Sequence, residues 1–344
     1  MEKLKCHIIL ELLWIFSFLF ISFFSGIATA DQITSTWQGG SGDWTDASNW
    51  DFPVGGYPDN GIDTYSAFIN NTPLDIEVTL DTNVTLDALL NEETIGMTGK
   101  TITISSSSAL LNSGTLDING NVNTSYTSTI NGNLINNGAI NLNKYGLYYG
   151  RGNLTYTGSS ISGSGAINID DGAILTLSNN TDLDNNTVYL NNGSFRSDNG
   201  YTGGEIIGYG TLRGTLGGHT TVSGGVMSLE NSISNLSSTG SMDVTGTGTF
   251  DLTDKTFTNN GTISINSGGH LTMRNSTLTN QNSGVTTIEN GGVLDINGEA
   301  FTSYTSTING SLINNGAINL NKYGLYWYSK GWKNKIVLQV GWAD

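Results

Sequence analysis

The sequence predicts an all-β protein built as a parallel β-solenoid with about 23 residues per coil. Two observations carry that reading. A glycine followed by x-[apolar]-x-[apolar] recurs along the chain, at Gly114, Gly138, Gly165, Gly225, Gly248, Gly261, Gly269, Gly292 and Gly316. Where this short pattern is densest, its starts at Gly261, Gly269, Thr277, Gly284 and Gly292 fall 8, 8, 7 and 8 residues apart, and three steps span 23. Each step is a strand of period two, as in Thr262-Ile263-Ser264-Ile265, with one apolar and one polar face. Asn-Gly and Asn-Ser-Gly then turn the chain, because both residues tolerate positive φ. Three strands and three turns make a triangular coil. Stacked coils bury a shared column of Ile, Leu and Val, and Asn at successive turns is expected to form amide ladders. An antiparallel β-sandwich also alternates, but it gives no reason for glycine to return in phase every third step. No 3.6-residue period persists after residue 30.

Residues 1–30 read as a secretory signal peptide. Lys3 and Lys5 precede the apolar run Leu12 to Phe24, and Ala28-Thr29-Ala30 supplies small residues ahead of Asp31. The run is shorter than the roughly 20 residues a membrane span needs. Cys6 is the only cysteine and lies within this segment, so the expected mature chain has no thiol chemistry and no disulfide. The expected location is the bacterial cell surface or the extracellular space.

Residues 31–75 are expected to cap the solenoid. Trp37, Trp44 and Trp50 are three of the seven tryptophans, and Gly39, Gly40 and Gly42 permit tight turns between them. Large aromatics there would cover strand edges and an open core end. The competing reading is a carbohydrate-binding module, with Trp44 and Trp50 stacking on a sugar and Asp43 and Asn49 bonding its hydroxyls. The pattern Trp37-x-Gly39-Gly40-x-Gly42-x-Trp44, then Asn49-Trp50 and Pro53, resembles the N-terminal element of bacterial autotransporter passengers and of related repeat-rich exoproteins, some with a PEP-CTERM sorting tail. The resemblance implies a right-handed parallel β-helix at the cell surface or in secreted matrix. It implies no particular ligand. The sequence departs from those families at its other end, with neither a membrane-barrel strand series nor a Pro-Glu-Pro tail.

Residues 76–326 form the predicted solenoid. Within it, residues 115–148 recur as residues 293–326, identical at 29 of 34 positions. A modular surface is duplicated in this way more readily than a catalytic centre. The tail 327–344 differs from everything before it, with Lys330, Lys333 and Lys335 among Trp327, Trp332 and Trp342. It reads equally as a cap strand or as the product of a broken reading frame.

The formal net charge of −16 offers no basic stripe, so nucleic acid is not an expected partner. An extracellular glycan or a host or matrix surface is. Catalysis is not expected. Asp170-Asp171 and Asn180-Thr181-Asp182 have polygalacturonase-like elements in reversed order, Gly217-Gly218-His219 lacks its trailing glycine, and adjacent carboxylates before a glycine are ordinary turn residues. A pectate-lyase site would need a basic residue beside clustered Asp, and Arg151, Arg196, Arg213 and Arg274 stand alone in sequence. A polysaccharide lyase or hydrolase is therefore the last of the three functional readings. His219 and His270 are too few for a zinc set without cysteine, and no cofactor is implied. An ice-binding solenoid would show a Thr-x-Thr ladder, yet Thr101-Ile102-Thr103 stands by itself.

Overall fold

The computed structural model describes residues 32–51, 56–61, 64–70, 76–105, 108–143, 150–231, 234–297, 305–321 and 335–339. The predicted signal peptide lies outside them, as does the tail apart from residues 335–339. The described chain is a β-solenoid of about 11 turns, with parallel coils of about 22 residues. Each coil contributes strands to three faces in turn. Face 1 runs from Gly42–Asp43 and Glu77–Leu80 to Ser311–Asn314. Face 2 runs from Val84–Leu86 to Ala317–Asn321. Face 3 begins at Gln32–Trp37 and reaches Lys335–Gln339. The ladder thus starts inside the segment expected as a cap, and Gln32–Trp37 pairs in parallel with Thr64–Ile69.

The alternation seen in the sequence is what closes the core. On face 1, Leu116 and Ile118, Ile140 and Leu142, Ile167 and Ile169, then Val188 and Leu190 stack in register, all buried. Burying each such side chain contributes about 1.5–3 kcal/mol. Between them Thr115 and Asp117, or Ala139 and Asn141, point outward and stay partly exposed.

The phased glycines have a reason other than the expected one. A Cβ on Gly114, Gly138, Gly261 or Gly292 would lie 2.1, 2.0, 2.0 and 2.1 Å from a carbonyl oxygen of the preceding coil. Glycine is needed there because two backbones touch at the corner, not because φ is positive.

The coil length is not constant. Thr262 pairs with Val285, 23 positions on. Ala139 pairs with Ala166, 27 positions on. Glu205 pairs with His219, only 14 positions on. In this short region Thr187–Ser197 and Glu205–Leu216 pass from face 1 to face 2 as single strands without a loop at the corner, and His219–Leu229 does so with Ser223–Val226 inserted opposite Tyr209. Gly208, at φ 121°, makes such a bend, and a Cβ there would meet the Leu190 carbonyl oxygen at 2.0 Å.

The expected amide ladder exists and is internal. Asn91 Nδ2 donates to Asn112 Oδ1 (2.8 Å), Asn112 to Asn136 (2.8 Å) and Asn136 to Asn186 (3.0 Å). All four are buried. Asn112 and Asn136 also donate to the carbonyls of Ala139 (3.0 Å) and Ala166 (3.3 Å), the next strands on face 1. A second run joins Asn259 to Asn280 at 2.8 Å. Bonding of this kind is what makes amides tolerable in a core.

Candidate functional site

The tryptophan end was the first place to look for a ligand. Trp37 and Trp50 meet edge to face with ring centroids 4.9 Å apart, and Trp44 and Trp50 at 4.7 Å. Each indole N–H has an internal acceptor: Trp37 to the Gly40 carbonyl (3.0 Å), Trp44 to that of Pro58 (3.1 Å) and Trp50 to that of Trp44 (2.8 Å). Trp44 is fully buried and Trp50 is 5 % exposed. No ring face of either is open to a stacking sugar in this arrangement. Asn49 packs its amide against Gly39 and Gly42, where added Cβ atoms would lie 2.2 and 2.8 Å from it. Asp43 is exposed at the rim, and its carbonyl accepts from the Asp46 N–H. Asp46 caps the short 3-10 turn Ala47–Asn49, and its bonds from the Ser48 hydroxyl and N–H hold its carboxyl below the usual range. Trp44 and Trp50 are part of the buried core, with aromatic edge contacts adding to burial.

The enzyme-like elements do not converge. Asp170 and Asp171 sit at the corner after the face 1 strand Ala166–Ile169, where Asp171 Oδ1 accepts from Asn192 (2.7 Å) and the Asp171 carbonyl from Arg151 Nε (2.8 Å). Asp182 lies on face 3, and its Oδ1 accepts from the Asp184 N–H. His219 is on face 1, its Nδ1 2.7 Å from Ser241 Oγ, with Glu205 and Asp243 carboxylates at 3.7 and 3.6 Å from Nε2. His270 is on face 2, its Nδ1 2.6 Å from Asp295. Among the described residues no three His, Cys, Asp or Glu side chains are grouped to hold a metal ion.

Two features are assembled only in three dimensions. On face 2, Arg196 and Arg213 stack on adjacent coils. Arg196 makes a two-pronged bond to Glu230 (2.7 and 2.8 Å), and Arg213 pairs with Asp198. Two of the four arginines that stand alone in sequence are thus neighbours in space. They are 17 positions apart, which a search at 23 misses.

The second feature is a lattice of threonines. Thr101-Ile102-Thr103 is not isolated in space. Thr101, Thr129, Thr155 and Thr176 form one cross-coil row on face 2. Beside it Thr85, Thr103 and Asn131 form a second, which Thr157 extends. Asn131 donates to Thr103 Oγ1 (3.1 Å) and accepts from Thr157 Oγ1 (2.9 Å). Face 3 carries another lattice nearer the C-terminus: Thr256, Thr277 and Thr307 in one row, Thr215, Asn235, Thr258, Thr279 and Asn309 in the other. Asn235 donates to Thr215 (3.2 Å) and Asn309 to Thr279 (3.3 Å).

Parallel strands stacked coil on coil around one hydrocarbon column place the chain in the class of β-solenoids. No protein-family model matches the chain, and no curated protein matches it either.

Proposed function

We propose that this chain is an exported, non-catalytic β-solenoid, a structural or adhesive exoprotein that works by presenting its outer faces. The observation that supports this most is the continuity of those faces. On parts of faces 2 and 3 outward Thr and Asn repeat from coil to coil in one register, so a weak contact is copied several times there. Multivalent attachment is what such copying gives. The signal-peptide pattern of residues 1–30 and the resemblance of residues 36–70 to autotransporter and PEP-CTERM-type exoproteins support export to a bacterial surface or matrix. Net acidity favours solubility and disfavours anionic partners. The test is expression of the full chain in a Gram-negative host, with fractionation and N-terminal sequencing. A mature N-terminus at Asp31 in the medium or on the cell surface, with adhesion of the expressing cells to immobilised glycan or matrix, is the expected result. A chain retained uncleaved in the cytoplasm overturns it.

A further inference from the structure

The two threonine lattices have a regularity that an adhesive face as such does not require. Adjacent coils stand about 4.8 Å apart, and alternate residues of a strand about 6.7 Å. The hydroxyls of Thr101, Thr129, Thr155 and Thr176 therefore occupy a fixed two-dimensional net with those of Thr103 and Thr157. Threonine is stiff about χ1, and the Asn131 and Asn309 bonds hold their neighbours further. Among the described residues no side-chain or backbone partner takes up the hydroxyls of Thr101, Thr129, Thr155 or Thr176. Each presents an O–H beside a methyl group on a flat floor. The rows carry no aromatic ring for a sugar and no charge until the net reaches Arg196.

The two repeats lie close to those between oxygen atoms on faces of hexagonal ice. A rigid net of alternating hydroxyl and methyl groups orders first-layer water, with hydroxyls bonding individual waters and methyls constraining those between them. The duplication supplies an independent observation. Thr129 and Asn131 of the first copy correspond to Thr307 and Asn309 of the second. The two strands lie on different faces, yet each falls in register within a Thr lattice. We infer that these lattices are water-ordering surfaces that bind ice.

The inference names a ligand for the display surface proposed above, and its test is separable from the test of export. Purified full-length protein is examined for thermal hysteresis, ice-crystal shaping and inhibition of recrystallisation. Wild type is expected to show them. Thr155→Lys on face 2 or Thr277→Lys on face 3 is expected to lower activity, and the double variant to lose roughly tenfold at equal concentration, because array contacts act together. Ser264→Lys, outward on face 1, is expected to leave activity unchanged. Circular dichroism and melting curves confirm that all variants fold. A folded wild type without any of the three activities overturns the inference, and so does full activity in the double variant. Sedimentation with crystalline cellulose or chitin, lost in the same variants while ice is ignored, would give the lattice to a polysaccharide and also overturn it. Export with no ice activity sinks the ice inference alone. Ice activity in a chain that is never exported sinks the display reading alone.

Discussion

The two copies of the duplicated segment are almost the same sequence in two different settings. The first copy places Thr115–Ile118 on face 1, Tyr126–Asn131 on face 2, Asn133–Asn136 on face 3 and Ala139–Leu142 on face 1 again. In the second, Val293–Asn297 lies on face 2, Thr305–Asn309 on face 3, Ser311–Asn314 on face 1 and Ala317–Asn321 on face 2. The later copy is turned by one face about the solenoid axis. Inward and outward positions are kept: Leu116 and Leu294, Ser128 and Ser306, Ile130 and Ile308 are all buried. So are outer contacts, with Asn141 donating to Asp117 (2.8 Å) and Asn319 to Asp295 (3.0 Å). A strand's own residues decide which side faces the core. Which face it joins depends on how many steps precede it.

That difference makes paired substitutions informative. The largest contrast is expected between Leu142→Ala and Leu320→Ala. Leu142 is buried and sandwiched between coils, so truncation should cost about 2–5 kcal/mol. Leu320 is 61 % exposed, and its loss should stay within about 0.5 kcal/mol. Urea unfolding of the two variants measures this, and equal shifts would mean that the copies share one environment.

Alkaline unfolding tests the setting of the first copy alone. Ile130 pairs with Tyr156, whereas its counterpart Ile308 pairs with Leu338. Burial pushes the Tyr156 phenol up to about 12, and likewise Tyr201. The folded state holds these protons more tightly than the unfolded chain, whose tyrosines titrate near pH 10. The contribution is therefore complete below pH 10 and is lost as pH rises towards 12, by about 2–3 kcal/mol for each ring. Denaturation curves from pH 9 to 12 should show this loss, and Tyr156→Phe should remove about half of it, the part that belongs to the coil after the first copy. An unchanged slope would exclude the phenol as its source.

The buried ladder gives the next contrast. Asn136→Ala leaves amides of Asn112 and Asn186 short of a partner and should cost about 1–3 kcal/mol. Its counterpart Asn314 is exposed on face 1, and Asn314→Ala should be close to silent. Thermal melts of the pair decide. The smallest contrast is expected between Asn141→Ala and Asn319→Ala: each loses a bond to an Asp, worth about 0.2–1 kcal/mol, and Asn141→Ala also loses the bond accepted from Asn168 (2.7 Å). Thermal melts in which Asn141→Ala costs no more than Asn319→Ala would show that the Asn–Asp pair alone sets the value.

The solenoid was legible because alternation and glycine phase are local. The run from Gly261 to Gly292 contains both, and its coils keep the 23-residue spacing in the structure. The lateral neighbours were not legible, because the separation between paired positions varies from 14 (Glu205 and His219) to 36 (Gly42 and Val78) and destroys any fixed interval. Thr101, Thr129, Thr155 and Thr176 share a row at unequal separations, so only the first looked like a motif. Trp44 and Trp50 showed the same limit in another form. Their clustering was visible, but the internal carbonyls that accept their indole N–H groups, of Pro58 and Trp44, were not.

The strands Thr187–Ser197 and Glu205–Leu216, which bend from face 1 to face 2 without a loop, leave that corner with little slack. Under tension, the corner between faces 1 and 2 on those two strands has no loop to straighten before its hydrogen bonds bear the load. A protease, which must draw out an extended segment before cutting, finds few there to draw.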